Sequence, residues 1–221
     1  MYAVQIAALM TCHNRKDTIL ACLRELMSQA GVNDTVKLQI YLIDAGSTDG
    51  TIEAIQEHFP DIHLIRSDSG LFWCGGMRVA FDEAMKGDHD YFLWLNDDTI
   101  LLHNALQTLL DTERELRQQE GKAGIIVGST QDPKTGQCTY GGIVRQSKWR
   151  PLVHRLLEPS GKPQRCLTMN GNCVLIAREV VESVGNLSPE FTHAIDDNDY
   201  GLRVNNHDIV RAGAVMTSCA L

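Results

Sequence analysis

The sequence is short of positive charge and lacks every spacing that announces a metal cage or a membrane span. Its 20 Lys and Arg face 28 Asp and Glu, a formal net charge of −8. That balance disfavours a general nucleic-acid binder, whose affinity rests on cations set against phosphates. Seven cysteines are scattered at positions 12, 22, 74, 138, 166, 173 and 219, with no Cys-x-x-Cys and no His-x-x-x-His to follow. Zinc and thiol-redox readings therefore lack their spacing. A chain of 221 residues can build a core without staples, so the cysteines read as reduced and mostly packed. No apolar run reaches the roughly 18 residues of a membrane span. Met1 to Cys12 is apolar but has no basic leader and no small-residue cleavage site, and reads as a first strand. These absences suit a cytoplasmic protein, with peripheral contact at the inner membrane face left open. Gly-x-Gly-x-x-Gly and P-loop motifs are also missing, which weighs against dehydrogenases and kinases.

What is present describes an ordinary globular chain of 24.6 kDa, 43% hydrophobic and 22% charged, with room for one large α/β domain but not two. Short apolar runs at Val4–Thr11, Leu38–Ile43, Ile62–Ile65, Tyr91–Leu95, Gly124–Val127, Cys173–Ile176 and Ile209–Met216 predict strands. Helical spacing appears from Ile19 to Ala30, stopped by Gly31, and again in Ile52 and Ile55, capped by Thr48 or Asp49 and broken at Pro60. Gly70 to Gly76 reads as a glycine-bracketed loop before a helix through Val79, Ala80 and Ala84. Ala105 to Gln119 reads as an amphipathic helix, and Arg178-Glu179 as the start of a short one. Lys134 to Ser147 suggests short antiparallel strands. This alternation predicts a mostly parallel sheet covered on both faces, with ligands at the carboxyl ends of its strands.

Polar clusters stand at those ends. Asn96-Asp97-Asp98-Thr99 follows an apolar strand, and carboxylate oxygens are what Mg2+ or Mn2+ prefers. Neighbouring side chains on an extended backbone point apart, so a division of labour is expected, with one Asp on the metal and the other on a ligand hydroxyl. A turn that caps the next helix is the plainer alternative. Asp196-Asp197-Asn198-Asp199 places three carboxylates in four residues, whose repulsion raises at least one pKa and suits a proton acceptor. Asp199 and Arg203 have the spacing of a helix-surface pair. Asp44-Ala45-Gly46-Ser47-Thr48-Asp49-Gly50-Thr51 ends a strand in a carboxylate and turns on small residues.

In order, Thr11-Cys12-His13-Asn14-Arg15, the Asp44–Thr51 turn, Asn96-Asp97-Asp98 and Asp196-Asp197 resemble family 2 glycosyltransferases of the GT-A fold, from about Val4 to Arg203. Gly70-Leu71-Phe72-Trp73-Cys74-Gly75-Gly76-Met77-Arg78 and Met169-Asn170-Gly171-Asn172-Cys173 look like members acting in bacterial polysaccharide assembly, rhamnosyltransferase-like enzymes among them. The resemblance implies one GT-A domain over 1–221, with residues 1–130 binding the nucleotide-sugar and 131–221 forming the acceptor side. It implies inverting transfer from a nucleotide-sugar donor to a glycan or lipid-linked saccharide, with a divalent cation as cofactor. Thr11, Cys12, Asn14, Asp44, Ala45, Gly75, Gly76 and Asp97 would bind the donor, Asp98 the metal. Asp197 would be the catalytic base, with Asp196 and Trp73 on the acceptor side. Ala45 stands where many members carry a second Asp or Asn that reads the base. Members also continue beyond Leu221 and often carry a His there; Thr217, Ser218 and Cys219 stand where it is sought, so the acceptor half is expected to be truncated.

The stretch from Arg145 to Arg165 carries Arg145, Lys148, Arg150, Arg155, Lys162 and Arg165 against the single Glu158. It suits a lipid diphosphate or an anionic membrane surface, and equally a solvated loop. Trp73 and Trp149 could stack on sugars or anchor loops. His193 could orient the acidic cluster, and Arg78 could reach a phosphate. A nucleotidyltransferase should carry a glycine-rich, basic first loop, where Thr11 to Arg15 has no glycine, and a dehalogenase-type phosphatase needs an Asp-x-Asp nucleophile, which the adjacent Asp97-Asp98 fit badly. The remaining rival is a GT-A-like domain that binds nucleotide or glycan without turnover.

Overall fold

The computed structural model describes residues 3–147, 149–192, 195–206 and 212–216, and of 150–152, 206 and 212–216 the backbone alone. Continuous apolar runs form the middle of the molecule. Val4–Cys12 (β1), Val36–Ala45 (β2), His63–Ser67 (β3) and Tyr91–Leu95 (β4) lie parallel in the order β3-β2-β1-β4. Ile6 to Met10 and all five residues of β4 are buried, the signature of strands covered on both faces. Each large aliphatic or Phe side chain among them contributes about 1.5–3 kcal/mol through burial.

Beyond β4 the sheet departs from uniform direction. Ile125–Gln131 (β5) does not pair with β4; Cys173–Ala177 (β11) lies between them, antiparallel to both. Ala212–Met216 (β12) runs parallel to β5, and Arg165–Cys166 (β9) closes the edge antiparallel to it. Cys138–Tyr140 (β6) pairs with the far end of β5. A second sheet, in the order β10-β7-β8, joins Thr168–Met169 (β10), Gly142–Ser147 (β7) and Arg150–Leu156 (β8) antiparallel. The mostly parallel sheet and the antiparallel strands near residue 140 match the sequence expectation; the reversed β11 has no signature in hydrophobic periodicity.

The helices are Lys16–Met27 (α1), Thr51–His58 (α2), Phe72–Ala84 (α3), Ala105–Glu120 (α4), Arg178–Val184 (α5) and Asp196–Asn206 (α6). α1 stops before Ala30 because Ser28 Oγ and Gln29 Nε2 both donate to the Glu25 carbonyl, at 3.0 and 3.2 Å, drawing the chain out of the helical ladder. α2 is capped by neither Thr48 nor Asp49. Its N-cap is Gly50 at φ 83°, a left-handed position that glycine occupies without strain. Asp49 Oδ1 instead accepts from the Thr51 amide and hydroxyl, at 3.1 and 2.5 Å.

The largest correction concerns Gly70 to Gly76. Only a short 3-10 turn, Ser69–Leu71, precedes α3, so Gly75 and Gly76 lie inside a helix. A Cβ on Gly76 would sit 2.5 Å from Thr11 Oγ1, and one on Gly75 3.2 Å from Leu71. These glycines mark close packing of α3, not a loop. The expected strand from Ile209 is described only as β12, since residues 207–211 lie outside the described ones.

Candidate active site

The carboxyl ends of β1, β2 and β4 meet at one rim, and the loops leaving β1 and β2 are fastened to each other. His13 Nδ1 donates to the Ala45 carbonyl at 2.7 Å, and Asn14 Nδ2 lies 3.1 Å from His13 Nε2, which orients the ring. Asn14 Oδ1 accepts from the Thr48 amide at 2.7 Å, while the Asn14 amide donates to Ser47 Oγ at 2.8 Å. Asp44 is 0% exposed. Its Oδ2 accepts from the Ser47 amide at 2.9 Å, and the Cys12 thiol lies 3.8 Å from its Oδ1. Asn14 and Asp44 thus build the turn, and neither lines the cleft beside it. Burial, with the Asp44 carboxylate adding to it, drives the Cys12 thiol far above its ordinary range, which favours its protonated, unreactive form.

That cleft, about 590 Å³, is lined by Thr11, Cys12, Ala45, Phe72, Trp73, Asp97 and Asp98 among others. Asp97 and Asp98 do not point apart. After Leu95 the backbone turns, with the Thr99 amide donating to the Asn96 carbonyl at 3.2 Å. Both carboxylates therefore reach one guanidinium nitrogen, Arg15 Nη1, at 3.0 and 2.9 Å. The turn caps no helix, since α4 begins after Asn104. Burial pushes Asp97 up to about 6, against the pull of Arg15 and with a push from Asp98. The Arg15 side chain is half exposed, so the ion pairs contribute only about 0–1 kcal/mol each.

Asp98 Oδ1 is buried and has no hydrogen-bond partner among the described residues. A hard cation fits such an oxygen. No group of three or more His, Cys, Asp and Glu converges there among the described residues, so an ion on Asp98 would draw its other oxygens from a ligand and water.

A second cleft of about 470 Å³ adjoins the first and shares Trp73, Asn96 and Tyr140 with it. It holds Asp196 and Asp197. The two clefts meet because β11 is reversed: the Asn96 amide donates to the Asn172 carbonyl at 3.0 Å, joining the segment before β11 to the end of β4. Trp73 is pinned as the wall between them, its Nε1 donating to Asn96 Oδ1 at 2.8 Å and its ring set edge-on to Trp94.

Asp197 is held from two sides. Its Oδ2 accepts from the Gly171 amide at 2.8 Å, and its Oδ1 from the Asn198 amide and Nδ2 at 2.7 and 2.9 Å. Asp196 is 1% exposed, and both its oxygens lack hydrogen-bond partners among the described residues. The nearby Cys74 thiol donates instead to the Phe191 carbonyl at 3.0 Å. Burial raises Asp196 first, the neighbouring Cys74 thiol pulls it back in part, and the Asp197 charge adds a smaller push, so desolvation outweighs the repulsion expected from the sequence. Asp199 pairs with Arg203 at 2.7 Å, as the helical spacing predicts.

Of the residues singled out from sequence, Thr11, Cys12, Ala45, Trp73, Asp97 and Asp98 line the first cleft, and Asp196 and Asp197 the second with Trp73. His193 and Thr217 to Cys219 lie outside the described residues. Sequence reasoning missed the part played by Arg15, which stood in the quoted Thr11–Arg15 run with no role. It also missed Phe72, half exposed on the first cleft at the left-handed φ of 49°, a costly position for an aromatic residue. Nothing in the pattern marks it, apart from the glycines on either side.

Residues 7–185 match the family described as Glycosyl transferase family 2. The chain belongs to that family. A curated relative, the N-acetylglucosaminyl-diphospho-decaprenol L-rhamnosyltransferase of Mycobacterium tuberculosis, is 23% identical over 192 residues, 76% of this chain and 61% of the relative. The same protein from a second strain matches equally. The chain thus spans about three-fifths of the length of the curated relatives it matches. Among solved structures, a mannosyltransferase from Pyrobaculum calidifontis in complex with GDP-Man and Mn2+ superposes with a TM-score of 0.65 at 18% identity, covering 100% of this chain and 58% of that one. The S. aureus protein TarS gives 0.64 at 9% identity over 99% of this chain and 37% of that one. These two show the shared GT-A fold.

Proposed function

We propose that this chain moves a hexosyl or rhamnosyl group from a nucleotide-diphosphate sugar to a hydroxyl of a glycan or lipid-linked saccharide, inverting the anomeric carbon, in cell-surface polysaccharide synthesis at the cytoplasmic face of a membrane. One observation carries the reading: the Asp97–Asp98 cleft and the Asp196–Asp197 cleft adjoin across a single wall of Trp73, Asn96 and Tyr140. Membership of the family supports it. The rhamnosyltransferase relative supports a lipid-linked acceptor, and the neighbour solved with GDP-Man and Mn2+ supports a nucleotide-sugar and a divalent cation.

In this reading residues 1–130 form the donor half and 131–221 the acceptor half. Thr11, Cys12 and Ala45 border the nucleotide, on a loop that Asn14 and Asp44 hold in shape. Asp97 meets the ribose. Gly75 and Gly76 act by letting α3 approach Thr11. Asp98 would hold Mg2+ or Mn2+, which when bound would supply positive charge to offset that of the departing diphosphate. Asp197 accepts the proton of the acceptor hydroxyl. That oxygen forms the new bond to the anomeric carbon as the bond to the diphosphate oxygen breaks. Gly171 and Asn198 orient the carboxylate for this task, and Asp196 and Trp73 shape the acceptor pocket.

Donor binding and transfer, measured with nucleotide-sugars and Mn2+, test the assignment. Asp98→Ala should lose metal-dependent donor binding. Asp197→Asn should keep donor binding and lose transfer by roughly 10²–10⁴-fold, the usual worth of a positioned base. Equal transfer by both variants and the parent would remove it.

A further inference from the structure

The β7–β8 hairpin stands outside the central sheet, and its tip exposes the wrong kind of surface for water. Trp149, at the turn between the two strands, is 94% exposed. Val153 on β8 is exposed as well. An indole left bare costs free energy unless something apolar or interfacial receives it, and tryptophan prefers the headgroup level of a bilayer.

The charge around it has one sign. Residues 145–165 hold six Lys and Arg and one Glu, in a chain whose net charge is −8. Arg145 lies directly across from His154, and Arg155 across from Val144; Arg145, His154, Arg155 and Lys162 are exposed. Elsewhere several arginines are engaged: Arg15, Arg114, Arg117, Arg178 and Arg203 face carboxylates. Arg165, at the end of the stretch, pairs with Glu120 at 2.7 Å, but among the described residues Arg145, Arg155 and Lys162 have no carboxylate partner, so the hairpin's own cations are not neutralised from within the molecule.

We propose that the β7–β8 hairpin is the surface by which this protein docks on an anionic lipid bilayer, Trp149 entering the headgroup region and the flanking arginines meeting lipid phosphates. The negative charge of the rest of the chain opposes any other approach, so the hairpin sets orientation as well as attachment. Its root lies at the second cleft: Gly142 pairs with Met169, and Tyr140 and Asn170, both just beyond that pair at the same end of the ladder, line the Asp196–Asp197 pocket. Six residues of β7 span roughly 17 Å, which bounds the height of the pocket above the lipid along the ribbon.

Vesicle flotation needs no sugar donor, so its result stands apart from that of the transfer assay. Phosphatidylcholine vesicles with and without phosphatidylglycerol are the probes. The parent protein should float with the anionic vesicles and not with the neutral ones, with a blue shift of tryptophan emission. Arg145→Glu/Arg155→Glu should weaken partition by at least about tenfold, each cation being worth about fivefold near such a surface. Trp149→Phe should bind but lose the emission shift, since Trp73 and Trp94 are already shielded; Trp149→Ala should bind less well. Thermal melts identify any misfolded variant, and Arg145→Gln/Arg155→Gln then replaces the charge reversal. Failure of the parent to float, equal flotation with neutral vesicles, or unchanged binding by the arginine variants would each overturn the proposal. Unchanged binding by Trp149→Ala would as well.

Discussion

A methyl group on Gly171 would lie 2.6 Å from the Trp73 ring and 3.3 Å from Asp197 Cβ. The glycine therefore sets how closely the indole wall and the carboxylate can approach, while its amide holds Asp197. Gly171→Ala should lower stability by about 1–3 kcal/mol through overpacking and cut transfer further than that loss explains; denaturant melts and transfer rates on the same samples check both. Asp196 carries a different strain. Its pKa is raised in the folded state by burial, so folding takes up a proton between its ordinary value and the raised one. Stability should therefore fall as pH rises through that window and level off on either side of it. Asp196→Asn removes the charge: it should melt higher than the parent at neutral pH, with the gap closing in mild acid. A gap that stays constant with pH would show that burial of the charge is not its cause. At this scale the sequence was informative where a residue type has few uses, as in the paired carboxylates. It was silent on Arg15, because one arginine in a polar stretch gives no sign that two carboxylates will fold onto it.

Elements were legible where their burial is uniform. The apolar middles of β1, β2 and β4 were evident before any contact was known; element ends were not, because an end such as that of α1 is decided by single hydrogen bonds, here those of Ser28 and Gln29 with Glu25. The start of α3 was misread because glycine signals both a loop and a close approach, and only the position of Thr11 distinguishes them. Packing between elements can hang on one buried group. Glu113 on α4 is almost fully buried and accepts from Tyr91 Oη on β4 at 2.8 Å, from Arg117 Nε at 2.9 Å and from the Gly124 amide at 3.3 Å. Glu113→Ala would strand the tyrosine hydroxyl and that amide in the interior. A loss of about 3 kcal/mol is expected, read from urea melts, and Tyr91→Phe should cost about 1 kcal/mol.

For the whole molecule, the α/β class followed from the alternation of periods, whereas the place of β11 did not. Strand direction depends on the path of the chain between elements, and the path from β5 back to β11 runs through the small sheet. A donor site at the rim should make the fold respond to its ligands. At a hundredfold excess over its dissociation constant, a true donor nucleotide with Mn2+ should raise the melting temperature by about 5–10 °C. The shift should shrink when chelator removes the ion; a shift indifferent to chelation would speak against Asp98 as ligand. The partition between the clefts has a last consequence. One indole, pinned by one amide oxygen, faces both compartments, so neither can be resized alone. Truncating Asn96 would loosen the panel toward donor and acceptor together, and a compound made to occupy both rooms must pass around the tryptophan, not through it.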